Sequence, residues 1–217
     1  VNEAAMDFNP FESNEKYDFY SFNNAFEILK YAHPVEFKEL LDAFDKFYIL
    51  KSDLLVGGGS ESKIPKRFAS YLRPSWRESR ISADLYVKHI MRSPTEERQF
   101  VIPDYMDGYL IDYVKGKVAF DMEWNSKDQT FDRDLYAFRA FYETGIIDVG
   151  GIITRDVSLN PVFQSLGIMK KYGASTTWIG KLLPRIRTRR HGGCPLFIVA
   201  IKSGCIADLE NETLHDE

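Results

Sequence analysis

The sequence predicts an α/β (α+β) protein with a central mixed β-sheet flanked by helices, and three observations carry that expectation. Amphipathic helical spacing fills the first part of the chain; the apolar period changes from that of a helix to two over residues 109–124; helical patterns then alternate with the apolar, β-branched runs Ile146–Thr154 and Pro195–Lys202. With 217 residues, 44% of them hydrophobic and 28% charged, the chain is long enough for a single compact domain over 1–217. Within it, an N-terminal helical part, residues 1–60, is expected to pack on a core that spans 108–202.

The elements follow in order. From Ser21, the residues Phe22, Ala25, Phe26 and Leu29 recur at helical spacing. After Pro34, Phe37, Leu40, Leu41, Phe44 and Phe47 repeat the pattern, so two amphipathic helices are expected. Gly57, Gly58, Gly59 and Ser60 interrupt with a hinge or turn; without a following Lys-Ser/Thr they form no P-loop, and no nucleotide cofactor is expected. Lys63 to Trp76 reads as a helix that Pro74 stops, and the stretch from Ile81 to Asp107 reads as irregular and polar. Tyr109–Val114 and Lys117–Trp124 read as a hairpin about Lys115-Gly116-Lys117. Asp132 or Asp134 opens a helix with Leu135, Phe138, Phe141 and Tyr142 on its buried face, and Gly145 stops it. Ile146–Thr154 suits a central strand, in which Gly150 and Gly151 mark a bulge or a close approach. A helix after Asn160-Pro161, another from about Thr177 and a last strand over Pro195–Lys202 complete the sheet and its cover.

Composition narrows the function classes. No apolar run approaches the roughly 20 residues of a membrane span, and the opening VNEAAMDFNPFESNEK has neither the basic start nor the apolar stretch of an export signal. The first residue is not Met, which suggests numbering from inside a longer reading frame or from a processed end. Cys194 and Cys205 are too few for a disulfide framework and lack zinc-site spacing, so a soluble, cytoplasmic protein with two buried thiols is expected. The net charge is -4, but it is unevenly spread. The N-terminal third is acidic, whereas Lys63, Lys66, Arg67, Arg73, Arg77 and Arg80 form one basic stretch, and Lys181, Arg185, Arg187, Arg189, Arg190 and His191 another. Either stretch alone suits a solvated helix face; together, about an acidic centre, they suit the flanks of a groove for a polyanion.

That acidic centre carries the chemistry. In the second hairpin strand Val118, Phe120, Met122 and Trp124 point to one face, and Ala119, Asp121 and Glu123 to the other. With Lys115 and Gly116 at the tip, Asp112 lies opposite Ala119 and diagonal to Asp121, so three carboxylates line one side. Like charges this close raise one another's pKa and disfavour folding unless a cation joins them. Mg²⁺ takes oxygen ligands and keeps several waters, leaving positions for a phosphate, and such an ion can drive hydrolysis of a phosphodiester. The spacing D-x8-D-x-E is loose by itself, and the same acids also suit the solvated outer face of a half-exposed hairpin.

The run IDYVKGKVAFDMEWNSKDQTFDRDL, followed by GIIDVGGIITR, STTWIGKLLPR and GGCPLFIVAI, resembles the BglII/BstYI family of type II restriction endonucleases, which are PD-(D/E)xK nucleases. The resemblance covers roughly Gly57 to Ile201 and is strongest from Leu110 onward. It implies a restriction-endonuclease-like core over 108–202 as the catalytic part, with Asp112, Asp121 and Glu123 as catalytic and metal-binding residues and Mg²⁺ as cofactor. Asp121 stands where the wider fold usually has Glu, and Glu123 where it has Lys and the namesake enzymes have Gln. The lysine's task then falls to metal-bound water, with Glu123 positioning it or holding a second ion. Glu36 or Glu39, from an early helix, is a candidate fourth carboxylate, with a solvated helix position as its plain alternative.

The resemblance also implies where double-stranded DNA is read. Asn125, Ser126 and Lys127 correspond to a loop that reaches base edges, for which Asn and Lys are chemically suited; a polar turn before a helix is the alternative. Ser175, Thr176 and Thr177 are expected to enter the groove or to cap the next helix. Lys181, Arg185, Arg187, Arg189 and Arg190 are expected to contact phosphate, which positions without specifying sequence. The implied enzyme is a homodimer whose two-fold axis matches that of its site. It hydrolyses DNA to a 5′-phosphate and a 3′-hydroxyl and belongs to a restriction-modification system; the namesakes recognise sites centred on GATC. Two other readings stay open: a structure-specific repair nuclease of the same fold, and a DNA-binding protein that has lost turnover.

Overall fold

Three parallel strands, β4 (Val118–Glu123), β5 (Gly150–Arg155) and β6 (Leu196–Ile201), occupy the middle of a six-stranded mixed sheet. β1 (Tyr17–Phe22) pairs antiparallel with β6 at one side, and β3 (Glu96–Lys115) and then β2 (Arg77–Met91) extend antiparallel beyond β4 at the other. The computed structural model describes residues 12–56 and 62–209, so the Gly57–Ser60 hinge expected above lies outside the described residues.

Every residue of β4, β5 and β6 is buried, as parallel strands covered on both faces must be. Alternate side chains enter two cores. Val118, Phe120, Met122 and Trp124 join Phe197 and Val199 against α1 (Ala25–Ala32), α2 (Pro34–Lys46) and α4 (Lys63–Leu72). Ala119, Ile152 and Ile198 join the buried faces of α5 (Thr130–Glu143) and α7 (Ile179–Arg187). The short helices α3 (Lys51–Leu55) and α6 (Asn160–Ser165) complete the cover on the first side. Close approach explains the glycine pair: a Cβ on Gly151 would sit 2.2 Å from the Phe197 ring, and one on Gly150 2.8 Å from Leu196.

The structure corrects several expectations. Residues 81–107 are not irregular: they form most of β2 and β3, paired from Arg77↔Val114 to Met91↔Glu96 with register shifts near Ala83. Most of this ribbon is exposed on both faces, so no buried stripe imposes the alternation by which a strand is read. Ser21 belongs to strand β1, and the helix starts at Ala25. α4 stops at Leu72, short of Pro74, and β5 starts at Gly150, with Val149 making only an isolated bridge to Val118. α5 opens at Thr130, so neither Asp132 nor Asp134 caps it, and Tyr142 is 37% exposed.

The hairpin register also differs. Val114 pairs with Ala119 and Lys115 with Val118, which leaves Gly116, at φ +53°, and Lys117 in the turn. Asp112 therefore falls beyond the last pair, Tyr113↔Phe120, at the position across from Asp121 rather than across from Ala119. The displacement is two residues along β4, so the side of the sheet that Asp112 faces is unchanged. β4 itself is no half-exposed outer strand, since its acids project into the α5 side of a covered sheet.

Candidate active site

Asp121 and Glu123 lie two residues apart on β4 and share a face; they are only 2% and 6% exposed. Asp112, at the exposed inner end of β3, donates its backbone N–H to Asp121 Oδ1 at 2.7 Å. Arg73 holds that segment from behind, with Nη2 on the Asp112 carbonyl at 2.8 Å and its guanidinium over the Tyr113 ring. On the neighbouring strand, Thr154 Oγ1 donates to the Glu123 carbonyl at 2.8 Å. The backbone at the acids is thus fixed from both sides.

The carboxylates themselves are under-satisfied. Asp121 Oδ2 and Glu123 Oε2 are buried and have no hydrogen-bond partner. Burial pushes the Asp121 carboxyl up to about 8; the Asp112 amide opposes the shift, and the charges of Asp112 and Glu123 add to it. Glu123 is raised as well, first by burial, against the Ser126 hydroxyl and the charge of Arg133, which favour its ionised form. Orphaned buried oxygens and mutual repulsion are what a divalent cation removes. Among the described residues no three His, Cys, Asp or Glu side chains are already closed into a metal-binding cluster. Mg²⁺ is held by one or two carboxylates with its remaining positions on water and phosphate, so the Asp121 and Glu123 pair, with Asp112 at the open end, fits that ion.

A fourth acid stands here that the sequence reading assigned to a helix cap. Asp134, at the start of the second turn of α5, is fully buried. Burial and the charges of Asp121 and Glu123 push its carboxyl up to about 9. Its signal was present: an acid three residues into an otherwise apolar helical face. Beside it Arg133 donates from Nε at 3.2 Å and Nη2 at 3.0 Å to Asp134 Oδ1, and Nη2 lies 3.8 Å from Glu123 Oε1. Glu39 is engaged elsewhere, accepting from Trp76 Nε1 at 2.8 Å and pairing with Lys115. Glu36 sits against Gly116 at the hairpin turn.

The two loops singled out for base reading come together. Lys127 and Thr176 form an antiparallel bridge, flanked by Asp128 N–H to Ser175 O at 3.0 Å and Thr177 N–H to Ser126 O at 2.9 Å. Asn125 Nδ2 donates to Lys171 O at 3.3 Å. Asn125 Oδ1 and Thr177 Oγ1 are buried without partners. Lys127 and Ser175 are exposed, Ser126 and Thr176 half-buried. Beneath them Arg155, 2% exposed, stacks with Phe163 and Tyr172, donates to Tyr172 O at 3.0 Å and bonds the Thr176 hydroxyl. No helix cap by Ser175, Thr176 or Thr177 is seen, since α7 starts at Ile179 after Trp178.

The basic stretches are partly neutralised. Arg185 pairs with Asp128 at 3.4 Å and Asp132 at 3.1 Å, Arg190 pairs with Asp132, and Lys181 approaches Asp128 at 3.9 Å. Arg187 and Arg189 are exposed, and His191 is buried. In the other stretch Arg67 pairs with Asp53 and covers the Tyr48 ring, and Arg80 pairs with Asp107 at 3.3 Å. Among the described residues no helix is long and apolar enough to cross a membrane.

A family model described as restriction endonuclease BglII/BglIII matches residues 17–201, a stretch that contains all of the acids above and both loops. No curated protein matches the chain.

Proposed function

The chain belongs to the restriction endonuclease BglII/BglIII family, a family of DNA-cutting nucleases, and we propose from that premise that it is a Mg²⁺-dependent type II enzyme. It cuts double-stranded DNA at a defined sequence as a homodimer, within a restriction-modification system, using a PD-(D/E)xK-type site in the cytoplasm. The observation that carries this reading is the pair of buried, partnerless carboxylate oxygens on Asp121 and Glu123 beside Asp112.

Asp121 and Glu123, on a strand buried on both faces, provide rigid oxygen ligands, and Asp112 completes the set from the open end. Bound there, Mg²⁺ would supply Lewis acidity toward the phosphate and a water acidic enough to attack at neutral pH. The residues' own part is to bind in ionised form, to hold their geometry through the Asp112 amide and the Thr154 hydroxyl, and to confine the phosphate to one approach. Glu123, with an oxygen unclaimed by other donors, is placed to accept a proton or hydrogen bond from the attacking water. The bridged loops 125–128 and 175–177 present Lys127 and Ser175 outward toward base edges, and Arg187 and Arg189 supply exposed cations for the phosphate backbone.

Digestion of a sequenced plasmid with Mg²⁺, followed by reading of the ends, tests the proposal. Discrete fragments with 5′-phosphates at one recurring sequence are expected, and Asp121→Ala is expected to abolish them while duplex binding in Ca²⁺ persists. Random nicking would point to a structure-specific nuclease, and binding without cutting to a DNA-binding protein without turnover.

A further inference from the structure

Arg133 projects from the first turn of α5 over the acid cluster. Its side chain is 64% exposed, whereas those of Glu123 and Asp134 are 8% and 0% exposed. Its Nε and Nη2 edge is committed to Asp134 Oδ1, at 3.2 and 3.0 Å. The approach to Glu123 Oε1, at 3.8 Å, is an ion pair without a direct hydrogen bond. A guanidinium has five N–H donors in a rigid fork, so the Asp134 contacts leave donors at the outer end of this one.

Electrostatics gives that outer end a task. Asp112, Asp121, Glu123 and Asp134 together place several negative charges or their protonated equivalents at one mouth, and a phosphodiester adds another. A divalent ion offsets two charges. An always-charged guanidinium, tied to Asp134 on its inner edge and open on its outer one, attracts the phosphate and has a fixed position before it arrives.

Building on the nuclease reading above, we propose that Arg133 is a catalytic residue that donates to a non-bridging oxygen of the scissile phosphate. In the step it assists, the oxygen of water forms a new bond to phosphorus, the P–O3′ bond breaks, and the 3′ oxygen leaves as a hydroxyl with a proton from that water. The phosphate stays on the 5′ end. Arg133 gives up no proton; it stabilises the negative charge that grows on the phosphate oxygens. The opposing possibility is that Arg133 serves only as counter-ion to buried Asp134.

The test uses the full chain and a duplex carrying its site, with single-turnover cutting in Mg²⁺, duplex affinity in Ca²⁺ and Tm measured for each variant. Arg133→Ala is expected to slow cutting by about 10²–10³-fold, the range for loss of one transition-state donor, while affinity changes by no more than about 10-fold. Arg133→Lys, which keeps the charge beside Asp134, is expected to retain the Tm and yet cut at least about 10-fold slower, because an ammonium lacks the fork. Should Arg133→Ala not fold, Arg133→Lys decides alone. Cutting within threefold of the parent by a folded Arg133→Ala, or by Arg133→Lys where Arg133→Ala does not fold, overturns the proposal and leaves the nuclease reading intact. A parent chain that cuts no duplex overturns both.

Discussion

Asp121→Asn isolates what burial does to the site. Asp121 Oδ1 takes the Asp112 amide at 2.7 Å, whereas Oδ2 has no partner, and burial above all raises the carboxyl from 3.8 to about 8. An acid whose pKa rises on folding takes up a proton as it folds, so stability falls as pH climbs from about 4 to about 8. At about 1.4 kcal/mol per pH unit across that window, the loss at pH 7 is roughly 4 kcal/mol. Asn cannot ionise and keeps the Oδ1 acceptor, but it places an amide NH₂ where Oδ2 was, at a cost of roughly 1–3 kcal/mol. The variant without divalent ion should therefore be more stable than the parent by about 1–3 kcal/mol at pH 7. For a chain of this size that is a Tm increase of roughly 2–7 °C. At pH 4.5 the native carboxyl is protonated and the unfolded one already largely ionised, so the parent's loss shrinks to roughly 1 kcal/mol and the gain should vanish or reverse. Melts followed by circular dichroism at the two pH values, in EDTA and in MgCl₂, read this directly, and Mg²⁺ should stabilise the parent more than the variant. A Tm difference that is the same at both pH values would refute the reasoning.

Gly151→Ala would drive a Cβ to 2.2 Å from the Phe197 ring at the centre of the sheet, and urea denaturation should show a loss of about 1–3 kcal/mol or more. Arg155→Met preserves an apolar stem beside the stacked rings of Phe163 and Tyr172 but releases the Tyr172 carbonyl and the Thr176 hydroxyl. Stability should fall by about 1–3 kcal/mol, and competition between the cognate duplex and one with a single changed base pair should show reduced discrimination. Glu39→Gln loses the half-exposed pair with Lys115 while keeping an acceptor for Trp76. Tm should move by no more than the equivalent of about 1 kcal/mol, with unchanged plasmid cutting, whereas a large loss of cutting would place Glu39 in the site.

How much of this was legible depended on what a core imposes. β4 alternates because one face meets α2 and α4 and the other meets α5, so Asp121 and Glu123 could be assigned a common face from spacing alone. Asp112 was found through the same alternation although its partner was misassigned: the turn holds Gly116 and Lys117, and a two-residue slip preserves the face. β5 and β6 were visible as apolar runs. The ribbon of β2 and β3 was not, since an exposed two-stranded segment buries nothing that would order its composition. Asp134 was misread because an acid near a helix start satisfies the cap pattern; that it points inward toward Glu123 depends on where α5 docks, which is a tertiary fact. The pairing of Lys127 with Thr176, nearly fifty residues away, is likewise set by the sheet order.

The most direct measurement is the position of a bound ion: crystals grown with a duplex and Mn²⁺, examined by anomalous diffraction. The account predicts a peak at coordination distance, roughly 2 Å, from the Asp121 carboxylate and from Asp112 or Glu123, beside a DNA phosphate. A cutting-competent complex whose ion sits away from Asp121 would contradict it.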